Sequence, residues 1–175
     1  MKKKILILAL ALSSAVWAGD YEDGDAAYQA GNYAEAFAKY KSAAEQGNVE
    51  AQFELGAMYG TGKGVEKNKA ESVKWYNKVF DQGTPEIQFG IAVLYLHGSE
   101  TFGIEKNKTE GLRLLMEVAD KGDVAAQFHL GKMYEHGLGV EQNSAEALRW
   151  YKKAAEQGNT DAQEIIDEIA KQSKQ

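Results

Sequence analysis

The sequence predicts an all-α fold, a solenoid of stacked helical hairpins, on three observations. One phrase is written three times: Ala51-Gln52-Phe53-Glu54-Leu55-Gly56-Ala57-Met58-Tyr59, Ile87-Gln88-Phe89-Gly90-Ile91-Ala92-Val93-Leu94-Tyr95, and Ala126-Gln127-Phe128-His129-Leu130-Gly131-Lys132-Met133-Tyr134. A fainter copy opens at Ala162-Gln163. The copies start 36, 39 and 36 residues apart, the period of arrays whose units bury a core only against their neighbours. Each of the three full copies is followed by a second apolar-periodic segment with the same start and stop signals.

The elements follow in order. Lys2, Lys3 and Lys4, the apolar run from Ile5 to Ala15 and the small-residue site Val16-Trp17-Ala18 have the layout of a secretory signal peptide cleaved near Ala18. A membrane anchor is the alternative, but Ser13 and Ser14 interrupt the run, which is shorter than the roughly 20 residues a span needs. The expected location is therefore periplasmic or secreted, with no membrane insertion after cleavage. Residues 19–175 read as one continuous solenoid domain. Residues 19–49 form an N-terminal capping hairpin, and the repeats occupy 50–86, 87–125 and 126–161. Residues 162–175 form a capping helix with polar Glu164, Glu168 and Lys171 outward.

Within a repeat, the first helix ends in a Gly-rich turn such as Gly60, Gly62 and Gly64, sealed by Val65. Asn68 with Glu71 reads as a capping box for the second helix, and Asn107/Glu110 and Asn143/Glu146 repeat it. That second helix carries Ala70, Val73, Trp75, Tyr76, Val79 and Phe80 in the first repeat. It closes at Gly83, the counterpart of Gly47, Gly122 and Gly158, where a left-handed residue is wanted. Asn48, Thr84, Asp123 and Asn159 follow as N-caps, and Pro85 falls at a first helical position. Gly56 and Gly131, with Ala92 in register, sit inside helices and imply close helix–helix approach.

Composition limits the chemistry. The chain carries −6; without residues 1–18, which hold Lys2, Lys3 and Lys4, the remaining 157 residues hold 17 basic against 26 acidic side chains, or −9. That disfavours nucleic acid and anionic bilayers and suits a basic protein partner, although plain solubility explains such a charge equally well. No Cys is present, which excludes disulfides, thiolate catalysis and Cys-rich zinc sites. His129 and His136 lie seven apart and His97 is the register mate of His136, which is not metal-ligand spacing. Gly60-Thr61-Gly62-Lys63-Gly64 lacks the spacing of a phosphate-binding loop. Asn107-Lys108-Thr109 spells a glycosylation sequon, but Asn107 already has a capping role. No cofactor is expected.

The long phrase from Ala126-Gln127-Phe128 through Leu130-Gly131, Met133-Tyr134, Gly137-Leu138-Gly139-Val140, Asn143, Ala145, Ala147, Trp150-Tyr151 and Lys153-Ala154-Ala155-Glu156-Gln157-Gly158-Asn159 resembles the Sel1-like repeat. The opening hairpin is more similar to a tetratricopeptide repeat. The resemblance implies an α/α superhelix and a role in protein–protein contact, as adaptor, assembly factor or inhibitor. Secreted bacterial members include host-interaction proteins and immunity proteins that neutralise toxic effectors. A cysteine-rich subgroup is reported to bind penicillin; this chain has neither its cysteines nor any Ser-x-x-Lys acylation motif.

Positions that vary between repeats are the candidates for partner binding. The fourth, seventh and eleventh positions of each first helix share a face. They are Glu54, Ala57 and Thr61, then Gly90, Val93 and His97, then His129, Lys132 and His136, running acidic to apolar to basic. Unselected solvated positions are the plainer explanation of the same pattern. The middle repeat departs most: Leu114 and Leu115 replace Trp-Tyr, Gly111 loosens the second helix, and the loop Gly98–Gly103 is three residues longer. Phe102 in that loop is either an exposed anchor for a partner pocket or a ring folded back over the leucines. The functional expectation is a non-catalytic binding protein, most concretely an inhibitor or immunity protein that occludes a toxic effector. An envelope adaptor or host-interaction protein is the alternative. An enzyme acting on cell wall or β-lactams is a third, without a nucleophile motif or metal cluster to support it.

Overall fold

The computed structural model describes residues 19–172; the expected leader and its cleavage site lie outside them. Among the described residues there are nine helices, packed as consecutive hairpins. They are α1 (19–29), α2 (Tyr33–Glu45), α3 (Val49–Thr61), α4 (Lys69–Gln82), α5 (Pro85–His97), α6 (Lys108–Asp120), α7 (Val124–His136), α8 (Ser144–Glu156) and α9 (Thr160–Gln172). No described helix is long and apolar enough to cross a membrane.

The chain falls into two compact units. Among the described residues, the first comprises residues 19–83 together with Ser99–Glu105; the second comprises Thr84–Gly98 and residues 106–172. In the first unit α2 packs on α3 and α3 on α4 around Ala36, Tyr40, Leu55, Met58 and Trp75. Val65 packs against that cluster, as its loop-sealing role requires. In the second unit α5 through α9 each pack on the next helix in the chain. Ile91, Leu114, Leu115, Leu130, Trp150 and Tyr151 are buried there, and each contributes on the order of 1.5–3 kcal/mol. The buried face of α4 is Ser72, Trp75, Tyr76, Val79 and Phe80, while Ala70 and Val73 of the expected apolar set stand in solvent.

The repeated Gln has a structural task that its spacing alone did not reveal. Four carbonyls at a helix C-terminus lack intrahelical partners. Gln127 Nε2 donates to the Ala119 carbonyl at the end of α6 (3.1 Å), and Gln52 Nε2 donates to the Ala44 carbonyl at the end of α2 (3.3 Å). Each is joined by a second glutamine thirty residues on. Gln157 Nε2 donates to Gln127 Oε1 (2.9 Å), and Gln52 Nε2 also reaches Gln82 Oε1 (3.3 Å). The pairs tie one hairpin's end to the next hairpin's start within each unit.

Most caps form as the sequence implies, with three corrections. Asn48, Asp123 and Asn159 accept from the backbone N–H three residues on, at 2.6, 2.7 and 2.8 Å. Thr84 makes no such side-chain cap; Pro85 at the next position needs none of its own. Gly47, Gly122 and Gly158 are left-handed, but Gly83 is extended (φ −72°, ψ 159°). There the helix runs through Gln82, and Thr84 must itself be extended to precede a proline, so no left-handed turn intervenes. The third correction concerns the capping boxes, which are only half made. Asn68, Asn107 and Asn143 each accept from the N–H of the Glu three residues later, at 3.1 Å. Their own N–H groups go instead to the carbonyls of Tyr59, Tyr95 and Tyr134, at 2.9, 2.7 and 2.8 Å. The three glutamates turn forward to Lys74, Arg113 and Arg149, i,i+3 pairs worth about 0.2–0.5 kcal/mol each.

Gly111 does not loosen α6, which is regular from Lys108 to Asp120. A Cβ there would stand 2.6 Å from the Leu96 nitrogen, so the glycine lets α6 close on α5.

Candidate functional site

The second unit contains a groove of about 260 Å³ lined by α5, α6, α7 and the loops at their ends. Its floor is buried Leu96 of α5 and Met133 of α7. Its walls are His129 of α7 and Leu138, a leucine left 56% exposed. Exposed His97, Lys106 and Lys108 stand at the rim, and among the described residues no carboxylate lines it.

Local sequence explains the shape. Gly98, at φ 75° and ψ 163°, stops α5 directly after His97 in a conformation only glycine adopts readily. Asn107 then caps α6, which fixes Lys106 and Lys108 on either side of the cap. Across the groove Gly137 is left-handed and ends α7, so Leu138 projects from a tight turn. A Cβ on Gly139 would lie 3.7 Å from Met133 Cε and 3.8 Å from Lys108 Cδ, so the Lys108 stem runs beside this turn.

The electrostatics are one-signed. Lys69, the register mate of Lys108 one repeat earlier, pairs with Glu105. Glu141 occupies the corresponding place for Lys108, yet among the described residues neither Lys106 nor Lys108 makes an ion pair. His129 is half-buried and packs edge to face on Phe89, with centroids 5.8 Å apart. Burial first, then the charges of His97 and Lys132, hold its imidazole below the ordinary histidine pKa. Such a groove offers an apolar slot with cationic and hydrogen-bond-donating edges. Its volume is below the roughly 300–1,000 Å³ of drug-sized ligand sites, and suits one or two side chains.

The sequence-derived candidates disperse. His97 and His129 meet in this groove. Lys132 extends over the Phe128 ring (5.8 Å to its centroid) and His136 turns to Glu135 (3.5 Å); neither lines it. Val93 is half-buried, and a Cβ on Gly90 would meet nothing within 4 Å. In the first unit Ala57 is buried in the core, and the Thr61 hydroxyl donates back to its carbonyl (2.7 Å). Glu54 is half-buried; burial and the charge of Asp25 hold its carboxyl above the usual range. Beside it, the Tyr40 hydroxyl donates to Asp25 at 2.5 Å.

The Phe102 ring is half-buried against Phe53 (centroids 5.0 Å), and its carbonyl accepts from the Tyr76 hydroxyl (2.8 Å). The long loop folds back through a Ser99–Ile104 bridge, and Gly103 stacks on the Gly60 backbone where either Cβ would collide. Lys106, Lys108, Leu96, Met133 and Leu138 were not among the candidates. The available signal was the lysine pair flanking the cap Asn, present as Lys67/Lys69 and Lys106/Lys108 but replaced by Gln142/Ser144 in the last repeat.

The fold is an α-hairpin repeat scaffold, and its second unit carries an open groove. The Sel1 repeat pattern matches residues 13–48, 49–83, 85–123 and 124–159, and the chain belongs to the Sel1 repeat family. It is 37% identical, over 92% of its length, to a protective antigen of uropathogenic Escherichia coli strains that displays an SLR fold, with a TM-score of 0.57; it spans only 35% of that antigen chain. It is 36% identical to a Sel1 repeat protein from Oxalobacter formigenes, covering 74% of this chain and 95% of that one, at a TM-score of 0.52. An immunity protein from Pseudomonas aeruginosa is 23% identical over 79% of this chain and 67% of its own, at a TM-score of 0.33. No curated protein matches the chain.

Proposed function

We propose that this protein is a non-catalytic scaffold of the periplasm or the secreted fraction that holds a partner protein in the groove of its second unit. The observation that carries the reading is the convergence of Lys106 and Lys108, which make no ion pair among the described residues, with His97, His129 and exposed Leu138. The positions shared by the repeats are occupied elsewhere, in helix packing, capping and the glutamine ties. In its most concrete form the scaffold is an inhibitor or immunity protein that occludes a toxic effector. A second reading, a host-facing or envelope-assembly protein, draws support from the similarity to the E. coli protective antigen.

The test is affinity capture with the chain produced in its native host, beside a Lys106→Glu/Lys108→Glu bait of equal melting temperature. One stoichiometric enzyme, inhibited by the wild type and lost with the variant, is the result expected for the inhibitor. An envelope or host structural protein lost in the same way would favour the second reading. Hydrolysis of wall fragments or β-lactams by the purified chain, or no groove-dependent partner from envelope or host extracts, would overturn the scaffold reading.

A further inference from the structure

We infer that the groove of the second unit takes an acidic peptide segment of its partner, with one apolar side chain seated between Leu138 and Met133 and carboxylates on either side of it. This rests on the scaffold reading and specifies its chemistry. It also reverses the sign suggested by net charge, which points to a basic partner.

Three observations support it. First, sign: Lys106 and Lys108 line the groove with His97 and His129, and among the described residues no carboxylate does, so a segment carrying Lys or Arg would meet the like charge of two lysines. The acidic excess of the chain does not cancel this, because charges beyond about 8–10 Å are screened at physiological salt while groups at the rim are in contact. Second, availability: the corresponding Lys69 is engaged by Glu105, whereas among the described residues Lys106 and Lys108 are not ion-paired. An arriving carboxylate therefore displaces water rather than an existing partner. Third, shape: the floor of Leu96 and Met133 with the exposed Leu138 wall offers apolar contact to one side chain, and about 260 Å³ suffices for that. An apolar anchor ringed by charge pairs is how a small interface combines affinity with a chosen partner.

Other ligand classes fit less well. Lysines beside the two histidines repel a metal cation, and no group of three or more potential metal ligands lies close enough to hold one among the described residues. A free phosphate or a lipid headgroup would use the cations but not the apolar floor, so these become arms of the test.

The experiment uses the full chain, three labelled twelve-residue peptides and two anion controls. The first peptide has Asp and Glu around one Leu; the second has Lys and Arg around the same Leu; the third keeps the acids and replaces Leu by Ser. The controls are inorganic phosphate and phosphatidylglycerol vesicles. Binding is read by fluorescence anisotropy, and location by amide shifts in ¹⁵N spectra.

The expected result is that the acidic Leu peptide binds and shifts the amides of His97, Lys106, His129 and Leu138. Lys106→Glu/Lys108→Glu should weaken it by on the order of tenfold or more. Leu138→Ser should weaken the acidic Leu peptide but leave the Ser peptide unchanged. Equal binding of the basic peptide, shifts mapping outside the groove, phosphate or vesicles competing as well as the acidic Leu peptide, or no peptide binding would each overturn the inference. A captured partner that stays on the Lys106→Glu/Lys108→Glu bait would sink the groove assignment. A captured partner lost with that bait but whose binding segment is basic would sink only the acidic-segment inference. Peptide binding without any captured partner would sink the scaffold reading instead.

Discussion

The ring of Tyr151 occupies the space that a β-carbon on Gly131 would need: such an atom would lie 2.5 Å from both Cδ1 and Cε1. Gly56 faces Tyr76 in the same way with more room, at 3.1 Å. In the middle repeat the register mates are Ala92 and Leu115, both fully buried. A larger residue on one helix accompanies a smaller one on the other, so the pair behaves as one packing decision.

Gly131→Ala should therefore destabilise the fold even though Ala is the better helix former by about 1 kcal/mol. The displaced ring makes the net cost about 1–3 kcal/mol. Gly56→Ala needs a shift of only a few tenths of an ångström and should be close to neutral. Gly131→Ala/Tyr151→Leu, which copies the middle repeat, should lose less than the sum of its single changes, with a coupling of about 1 kcal/mol. Urea unfolding of the four proteins measures this, and strictly additive losses would show that the pair is not coupled.

The caps give a graded series. Asn48→Ala and Asn143→Ala each remove a side-chain bond to a helix N-terminus and should cost about 1 kcal/mol. Thr84→Ala removes no cap bond and should cost clearly less. A Thr84 loss equal to that of Asn48 in thermal melts would contradict the assignment.

Glu54 holds its proton more readily in the folded chain than an exposed glutamate does, because it is half-buried near Asp25. Above its raised folded pKa the unfolded state ionises more easily, so the ionised group lowers stability there. That penalty disappears below the ordinary value of about 4.3. Glu54→Gln should raise the melting temperature at pH 7 and give a diminishing benefit as the pH falls toward 4. A variant that melts lower than wild type at pH 7 would show that the carboxylate has a stabilising partner.

His129 has the opposite dependence on pH. Its folded pKa is depressed, so the unfolded state takes up a proton first as the pH falls. The contribution is fully present above the unfolded value of about 6.5 and is lost as the pH drops through the lower folded value. Urea midpoints between pH 8 and 5 should fall for the wild type and fall less steeply for His129→Gln. Parallel curves would assign the acid sensitivity to other groups.

Much of the fold was legible because repetition made it so. Asn68, Asn107 and Asn143 stand at the same register and cap the same way. Gly83 misled because its three counterparts are followed by Asn or Asp, while it is followed by Thr84-Pro85, whose backbone preference overrides the helix-end pattern. The candidate site was less legible for a different reason. Glu54, Ala57 and Thr61 share one face of an isolated helix, but a stacked helix has neighbours on more than one side, and Ala57 falls under them. The groove was harder still: Lys106 and Leu138 belong to loops of different repeats, and only packing brings them to one cleft.

The backbone bonds from Asn68, Asn107 and Asn143 to the tyrosine carbonyls close loops of unequal length. The partners are nine residues apart in the first and last repeats and twelve in the middle one, and the bond is the same. Each clasp fixes where the chain leaves one helix and enters the next, whatever passes between. The same clasp thus holds with three extra residues between its ends, and lengthening by a factor of two costs only about 0.6 kcal/mol in closure entropy. The clasp works as a pair of fixed terminals: helix exit and helix entry stay wired together while the connection between them differs in length from repeat to repeat.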